Sequence, residues 1–229
     1  MATLAKEGAE MKTYSLLFLD FDGVISDSMN ICMEEINRLR EKFPTIPEVI
    51  TREDMTSVYS VELRHSLYPF GLNDEETREF FDRHSKAMNC RATEVEPFHE
   101  VVRALALCSL LKVIITSSYS EAVYTILRKC DGFHDDFVQG IYGREQHKTK
   151  TEKICHALGL FQTNTTEALY IGDLASDVLY CKEVPIDIAC VGYGYHPASY
   201  LKKFSPSCIL ETVEDFVVFL QSLSPKPQP

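Results

Sequence analysis

The sequence predicts a doubly wound α/β fold, in which a parallel sheet carries an inserted, all-helical domain. Three observations predict it: short apolar runs recur along the chain, amphipathic helical patterns separate them, and one long interval contains helical patterns alone. The apolar runs are continuous rather than alternating in polarity, as expected for strands buried on both faces of a parallel sheet. Strands that alternate with helices in this way are typical of a Rossmann-like domain.

The predicted strands are the apolar runs, which cover 14–19, 111–116, 168–172, 186–191 and 207–210, with a weaker run at 137–141. The helical patterns between them cover 98–109, 119–130, 150–159, 176–183 and 212–223. Two of these helices begin with a capping signature, a short polar side chain followed three residues later by an acid. The signatures are Ser118 with Glu121 and Thr212 with Asp215. We therefore expect Ser118 and Thr212 to cap helices.

The interval from 28 to 95 breaks the alternation, because it contains no good strand pattern. Its apolar residues recur at spacings of three and four, and Asn73 with Glu76 forms a further capping signature. We therefore predict a helical cap domain at 28–95, a core formed by 1–27 and 96–223, and a proline-rich, flexible tail at 224–229. The alternative is a helical excursion that belongs to the core.

Composition narrows the possible partners and compartments. The 229 residues can form one substantial domain that carries a smaller one. A formal charge of −11 argues against nucleic acid or an anionic membrane surface as partner, since both favour a basic face. The eight cysteines are scattered without a CxxC pair, so we expect reduced, structural thiols. No signal peptide is evident in residues 1–12 and no segment is long enough to span a membrane, which predicts a cytoplasmic protein.

Carboxylates follow two predicted strands at the points where those strands end. Asp20 and Asp22 come directly after the first strand. Asp173 and Asp177 follow the strand at 168–172. Ligands of α/β sheets bind outside the carboxyl ends of the strands, so these four acids are expected to meet in one crevice. Acids this close raise one another's pKa values unless a cation is bound, and hard oxygen ligands favour Mg²⁺, so we predict a magnesium site formed by all four.

The same crevice is expected to contain a hydroxyl and an ammonium group. Thr116 ends the second strand of the core, where it can hydrogen-bond a phosphoryl oxygen. A lysine of the KTK stretch, Lys148 or Lys150, can supply the positive charge that a phosphoryl transition state requires. We expect Lys150, because Ile154 and Leu158 then fall on the buried face of the following helix, and Lys148 stays an alternative.

These groups suit phosphoryl transfer through a covalent intermediate. Asp20 can attack phosphorus as the nucleophile while its other oxygen contacts the metal. Asp22 lies two residues further on, and the strand period of two directs it to the same side. There it can protonate the leaving oxygen and later activate water. The expected substrate is a small phosphorylated metabolite.

The motifs that carry these residues resemble those of the haloacid dehalogenase-like hydrolases, in order and over essentially the whole chain. DFDGVISDS resembles the first motif of that family, KVIITSS the second and YIGDLASD the fourth. The resemblance implies that Asp20 is the nucleophile and Asp22 the general acid/base. It also implies metal-binding roles for Asp173 and Asp177, and a catalytic role for Thr116. VEPFHEVVRAL resembles the point where a helical cap rejoins the core, and GYGY resembles a segment after the fifth strand.

Departures from the family pattern leave alternatives open. Val24 stands where most phosphatases of the family have threonine, and DGV also occurs in its phosphomutases, so a sugar phosphomutase is the closest alternative to the expected phosphatase. A dehalogenase fits less well because Asp22 suits phosphoryl transfer, and phosphonate cleavage would require Lys42 or Lys86 in the cap. A signalling receiver is shorter and places its paired acids side by side. A catalytically silent protein of this fold is the non-enzymatic alternative.

Substrate selection is expected to depend on the predicted cap. Four of its side chains are candidates for facing the crevice, although a surface position is the more common one for such residues: Arg52, Arg64, His65 and Tyr68.

Overall fold

One parallel sheet organises the fold, which a computed structural model describes for residues 12–60, 65–134 and 136–223. The strands are β1 (Leu16–Leu19), β2 (Ser26–Asp27), β3 (Glu96–Pro97), β4 (Leu111–Ile115), β5 (Gly140–Tyr142), β6 (Ala168–Gly172), β7 (Asp187–Val191) and β8 (Cys208–Leu210). Six of them form the sheet in the order β5-β4-β1-β6-β7-β8. Every pair of neighbours in it is parallel, which confirms the predicted doubly wound α/β class.

Helices connect the strands and pack on the sheet. The α-helices are α1 (Met29–Leu39), α2 (Arg52–Val58), α3 (Asp74–Cys90), α4 (His99–Leu107), α5 (Ser120–Leu127), α6 (Lys150–Leu160), α7 (Ala175–Glu183), α8 (Ala198–Leu201) and α9 (Val213–Ser222). Short 3-10 helices lie at Tyr68–Phe70, Ala92–Glu94, Arg144–Gln146, Thr165–Glu167 and Lys202–Phe204. The α6 helix continues to Leu160, one residue beyond its predicted end.

The central strand β1 is apolar on both of its faces, and all four side chains are fully buried. Leu17 and Leu19 pack into one apolar cluster, whereas Leu16 and Phe18 pack into a second cluster. Because side chains alternate along a strand, these clusters lie on opposite faces of the sheet. The sheet is therefore a middle layer with a core on each side, as the continuous apolar runs predict.

Two predicted capping signatures are present and one prediction is wrong. Asn73 caps α3 and Thr212 caps α9, each by accepting backbone N–H groups of the first turn. Ser118 does not cap α5, since the residue before that helix is Tyr119 and makes no side-chain cap bond. The Ser118 hydroxyl instead donates to the carboxylate of Asp22. A charged acceptor makes the stronger hydrogen bond, which explains the difference.

A short antiparallel ribbon encloses the helical interval. β2 pairs with β3, with Ser26 opposite Pro97, so the two ends of the interval leave the sheet side by side. Inside the interval, Phe43 and Phe80 are buried and their rings meet edge to face at 5.6 Å. An inserted cap requires such closely spaced ends. The apolar side chains of the interval belong to the same cluster as one face of the sheet. The division into a cap at 28–95 and a core around it stays a prediction, and the tail at 224–229 lies outside the described residues.

The cysteines are free thiols, and several of them are buried among apolar side chains. This agrees with their predicted role as small hydrophobic residues. Within the part of the chain that the structure describes, none of the helices combines the length and the apolar character that crossing a membrane requires. The cytoplasmic location stays a prediction.

Candidate active site

Three buried acids meet at the carboxyl end of the sheet. Asp20 follows β1, Asp173 follows β6, and Asp177 lies in the first turn of α7. One oxygen of each carboxylate lies within 4.8 Å of the others. Parallel pairing explains the convergence, because β1 and β6 are neighbours whose carboxyl ends reach the same edge of the sheet. The arrangement concentrates negative charge in a place that water hardly reaches, since Asp20 is only 5% exposed and the other two are fully buried.

Lys150 compensates part of this negative charge. It is the first residue of α6 and is 7% exposed, and its Nζ donates to Asp20 Oδ2 at 2.5 Å and to Asp177 Oδ1 at 2.8 Å. Burial acts to lower the pKa of Lys150, but Asp177 and Asp20 hold it well above its ordinary value. Lys148 is exposed and makes no contact with the three acids. Of the two lysines considered from the sequence, the structure brings Lys150 to the acids.

The remaining charge fits a divalent cation. Burial raises the pKa of Asp20 to about 7, with Lys150 acting against the rise and Asp177 adding to it. Burial, Asp20 and Asp177 together raise the pKa of Asp173 well above its ordinary range. Three ionised carboxylates and one ammonium leave a formal charge of −2. Asp173 Oδ1 is also buried without a hydrogen-bond partner among the described residues. Hard carboxylate oxygens with an unsatisfied member are suitable ligands for Mg²⁺.

Two glycines allow the backbone to approach Asp173 closely. Gly23 has φ of 75°, and a Cβ on it would lie 2.2 Å from Asp173 Oδ2. A Cβ on Gly194 would lie 2.4 Å from the Cβ of Asp173, and the next residue, Tyr195, donates its backbone N–H to Asp173 Oδ2 at 2.7 Å. The DGV and GYGY stretches therefore approach Asp173 from two sides. Residues larger than glycine at positions 23 and 194 would prevent this close approach.

Asp22 is oriented separately from the three buried acids. Its Oδ1 accepts a hydrogen bond from Ser26 Oγ at 3.2 Å, and its Oδ2 accepts one from Ser118 Oγ at 2.5 Å. Its carboxylate does not belong to the group of three, although it lines the same cavity as Asp20. The structure thus brings together three of the four carboxylates considered for the metal. The metal-binding role of Asp22 stays a prediction.

Thr116 lies where β4 ends, and its side chain is buried. Its Oγ1 accepts the backbone N–H of Ser118 at 3.0 Å, which leaves the hydroxyl proton free to be donated to a ligand. Its backbone carbonyl accepts a hydrogen bond from Lys153 Nζ at 2.8 Å. Thr116 therefore lines the cavity beside Asp20 in a fixed position, as the strand-end argument predicts.

The sequence does not assign a role in the site to two residues. Ser118 follows the end of the second strand but carries a capping pattern, and Lys153 belongs to a basic stretch. Lys153 lies three residues after Lys150, so both occupy the same face of α6. A lysine four residues before Ala157, which is on the buried face of the helix, is the signal that could reveal it.

A cavity of about 570 Å³ lies over these groups, a size typical of small-molecule sites. Helix α3 supplies much of its other wall, through Thr77, Arg78, Phe81, His84, Ser85 and Met88. Burial lowers the pKa of His84 to about 4, so this wall presents a neutral imidazole at neutral pH. The wall is mixed in polarity.

The four side chains considered for substrate selection have different environments. His65 lines the cavity. Tyr68 donates to Asp74 and is exposed. Arg52 donates to the backbone carbonyls that follow β7, at Gly192 and Tyr193, so it ties the helical interval to the core. Arg64 lies outside the described residues.

The chain belongs to the haloacid dehalogenase-like hydrolase family, which it matches over residues 17–191. This confirms the family that the motifs indicate, and with it that the chain is an enzyme.

Particular relatives are phosphatases by name. The chain is 24% identical over 222 residues to the pyrophosphatase PpaX of Bacillus cereus, covering 93% of this chain and 99% of that protein. It is 26% identical over 145 residues to the phosphoglycolate phosphatase of Photorhabdus laumondii, covering 62% of each. A solved structure described as a predicted phosphatase from Clostridium acetobutylicum superimposes with a TM-score of 0.75 at 18% identity, covering 92% of this chain and 100% of that one. The superposition confirms the fold.

The close approach at Gly23 generates a testable expectation. Gly23→Ala should lower the free energy of unfolding by at least about 1–2 kcal/mol, because alanine is strained at positive φ and its Cβ would collide with Asp173. Urea denaturation measures the change. Gly159→Ala is the matched control: that glycine lies in α6 with nothing within 4 Å of the added atom, so stability should rise by roughly 0.5–1 kcal/mol. Unchanged stability of Gly23→Ala would contradict this geometry.

Proposed function

We propose that the chain is a Mg²⁺-dependent phosphatase that hydrolyses a small phosphomonoester through an aspartyl-phosphate on Asp20. The observation that supports it most is the position of Asp20, a nucleophile at the floor of a small-molecule cavity with a lysine and two buried acids directly behind it. The names of the relatives, a pyrophosphatase and a phosphoglycolate phosphatase, point to phosphorylated compounds as the substrate class.

The first half of the reaction forms the covalent intermediate. Asp20 attacks phosphorus as the bond to the leaving oxygen breaks, and the phosphoryl group becomes attached to its carboxylate. The backbone N–H of Phe21, at 2.8 Å from Asp20 Oδ1, and Lys150 at Oδ2 fix the orientation of this carboxylate before substrate arrives. Lys150 and the Thr116 hydroxyl are near enough to the floor of the cavity to stabilise the charge on the transferred phosphoryl oxygens.

Asp22 performs the proton transfers of both halves. In its protonated form it donates to the leaving oxygen, and the resulting carboxylate then takes a proton from the water that attacks the aspartyl-phosphate. Phosphate and a regenerated Asp20 are the products. Its separate environment supports this role, because a group that exchanges protons with substrate has to reach into the cavity, away from the three buried acids.

The divalent cation is assigned to the buried acids. Asp20, Asp173 and Asp177 are the residues that would hold Mg²⁺, and Asp22 is proposed as a further contributor. The bound ion would withdraw negative charge from the phosphoryl oxygens and remove the repulsion among the carboxylates. The unsatisfied Asp173 Oδ1 supports this assignment.

Phosphate release across a panel of phosphorylated metabolites tests the function. The panel should include pyrophosphate, phosphoglycolate and several sugar phosphates, and Asp20→Asn should abolish all release because it removes the nucleophile. Conversion of a sugar phosphate to an isomer without release of phosphate would identify a phosphomutase instead. Binding of these compounds without any turnover would identify a catalytically silent protein.

Removal of the metal should affect both turnover and stability. Chelation by EDTA is expected to abolish activity and to lower the melting temperature, and Mg²⁺ should restore both. Binding at a hundred times the dissociation constant would contribute about 2.7 kcal/mol of stability. The measurement is thermal unfolding with and without Mg²⁺, next to a phosphate assay. Full turnover in EDTA would contradict the Mg²⁺ assignment.

The two lysines of the KTK stretch should differ sharply. Lys150→Ala is expected to cost on the order of 2–4 kcal/mol in transition-state stabilisation, as for other preorganised charge contacts. Lys148→Ala, the matched control on an exposed side chain, should leave kcat/KM nearly unchanged. Steady-state kinetics of both variants measures the effect. A near-normal rate for Lys150→Ala would remove that lysine from the mechanism.

Substitution of Asp20 and substitution of Asp22 should block different steps of the reaction. Asp20→Asn should form no covalent intermediate, whereas Asp22→Asn keeps the nucleophile and lacks the base. With nitrophenyl phosphate, whose leaving group needs little protonation, Asp22→Asn should accumulate aspartyl-phosphate in a burst followed by slow turnover. Rapid-quench mass spectrometry should then find one phosphoryl group on the peptide that contains Asp20. Label on Ser117, Ser118 or a histidine would contradict the mechanism.

A further inference from the structure

Lys153 is a second buried lysine of α6, and it has no role in the reaction proposed above. It is 2% exposed, and its Nζ donates to the backbone carbonyl of Thr116 at 2.8 Å. Burial, with Lys150 nearby, lowers the pKa of Lys153 to about 8. Removing an ammonium group from water is costly, and a packed apolar side chain would avoid that cost. A lysine in this position therefore calls for a reason other than stability.

The carbonyl that Lys153 binds belongs to the loop that leaves the sheet after β4. The backbone N–H of Thr116 donates to the carbonyl of Tyr142 at 3.2 Å, the last bond of this strand to its neighbour. Beyond that point, the Lys153 bond holds the Thr116 carbonyl, and Thr116 Oγ1 holds the N–H of Ser118. Arg144 donates its backbone N–H to the Ser118 carbonyl at 2.9 Å. The position of Ser118 is thus determined from two sides.

Ser118 in turn holds the carboxylate of Asp22. Ser118 Oγ donates to Asp22 Oδ2 and Ser26 Oγ donates to Asp22 Oδ1, and a hydrogen bond to a carboxylate is among the stronger kinds. Asp22 is only half-buried, so packing alone does not fix its rotamer. A continuous series of contacts therefore runs from Lys153 through Thr116 and Ser118 to Asp22.

We infer that Lys153 and Ser118 are positioning residues which aim the carboxylate of Asp22 at the leaving oxygen of the substrate. The inference rests on the proposed role of Asp22 as general acid/base. Lys153 anchors the loop, and Ser118 transmits its position to the acid. Proton transfer depends steeply on the placement of the donor, so a loosened loop lowers the efficiency of protonation while the nucleophile Asp20 keeps its own contacts.

The test is the dependence of kcat/KM on leaving-group pKa for a series of aryl and alkyl phosphates. Ser118→Ala and Lys153→Met should lose about tenfold or more with poor leaving groups, part of the 10²–10⁴ that general acid catalysis supplies. With nitrophenyl phosphate, which needs little protonation, Ser118→Ala should stay within about threefold of the wild type. Lys153→Met also releases the Thr116 carbonyl, so it should add a loss that is the same for every leaving group. Ser118→Ala in an Asp22→Asn background should cause no further loss, because the two residues act as one unit.

Lys112→Met is the matched control. Lys112 is also a buried lysine, 7% exposed, and its Nζ donates to the backbone carbonyls of Cys108 and Leu110 at 2.7 and 3.1 Å, at the opposite end of β4. Its loss should lower the melting temperature without changing the leaving-group dependence. If Lys153→Met does not fold, Ser118→Ala decides the matter, since it deletes a single hydroxyl in the cavity wall.

Three outcomes distinguish a failure of the positioning role of Ser118 and Lys153 from a failure of the acid/base role of Asp22. An equal loss with every leaving group in Ser118→Ala and Lys153→Met would make both residues merely structural and overturn the inference. If Asp22→Asn discriminates against poor leaving groups while Ser118→Ala and Lys153→Met do not, the inference fails and the role of Asp22 stands. If Asp22→Asn shows no discrimination, the proposed role of Asp22 fails and the inference fails with it.

Discussion

Repulsion among three buried carboxylates is the constraint on which the site depends. Asp20, Asp173 and Asp177 come from separate elements, and only the parallel pairing of β1 with β6 brings them within 4.8 Å. Charges interact more strongly in a buried site than in water, so this cluster requires compensation. Lys150 supplies one positive charge from the start of α6, and a divalent cation suits the remainder. The relative positions of β1, β6, α6 and α7 therefore determine whether the positive charges can compensate the three carboxylates.

The carboxylates in this small volume have two kinds of environment. Asp20 and Asp177 share Lys150, whereas Asp173 accepts the backbone N–H of Tyr195 and is closely approached by Gly23 and Gly194. Asp22 is held instead by two hydroxyls and reaches the cavity in a less buried position. Environment, rather than residue type, can give two carboxylates different roles. Two aspartates only two residues apart can thus act differently.

The sequence predicts those features of the fold and the site that depend on a local pattern of residues. Continuous apolar runs predict the six strands of the main sheet, and the acids that follow them predict the convergence of Asp20 with Asp173, because a parallel sheet aligns its carboxyl ends. The contacts of Ser118 were beyond such reasoning. Its partner lies 96 residues away, and the same serine also satisfies a local capping pattern. Lys153 escaped for a related reason, since a basic stretch usually indicates solvated surface.

The ribbon of β2 and β3 has a consequence for how this enzyme can diversify. Both ends of the helical interval leave the core at adjacent points, with Ser26 beside Pro97, so its length and content can change without shifting the register of the main sheet. Helix α3, which forms much of the cavity wall, is carried on that interval. Mutations in α3 can change the lining of this wall while Asp20, Asp173 and Asp177 keep their spacing. The wall of the cavity and its floor can thus vary independently in evolution.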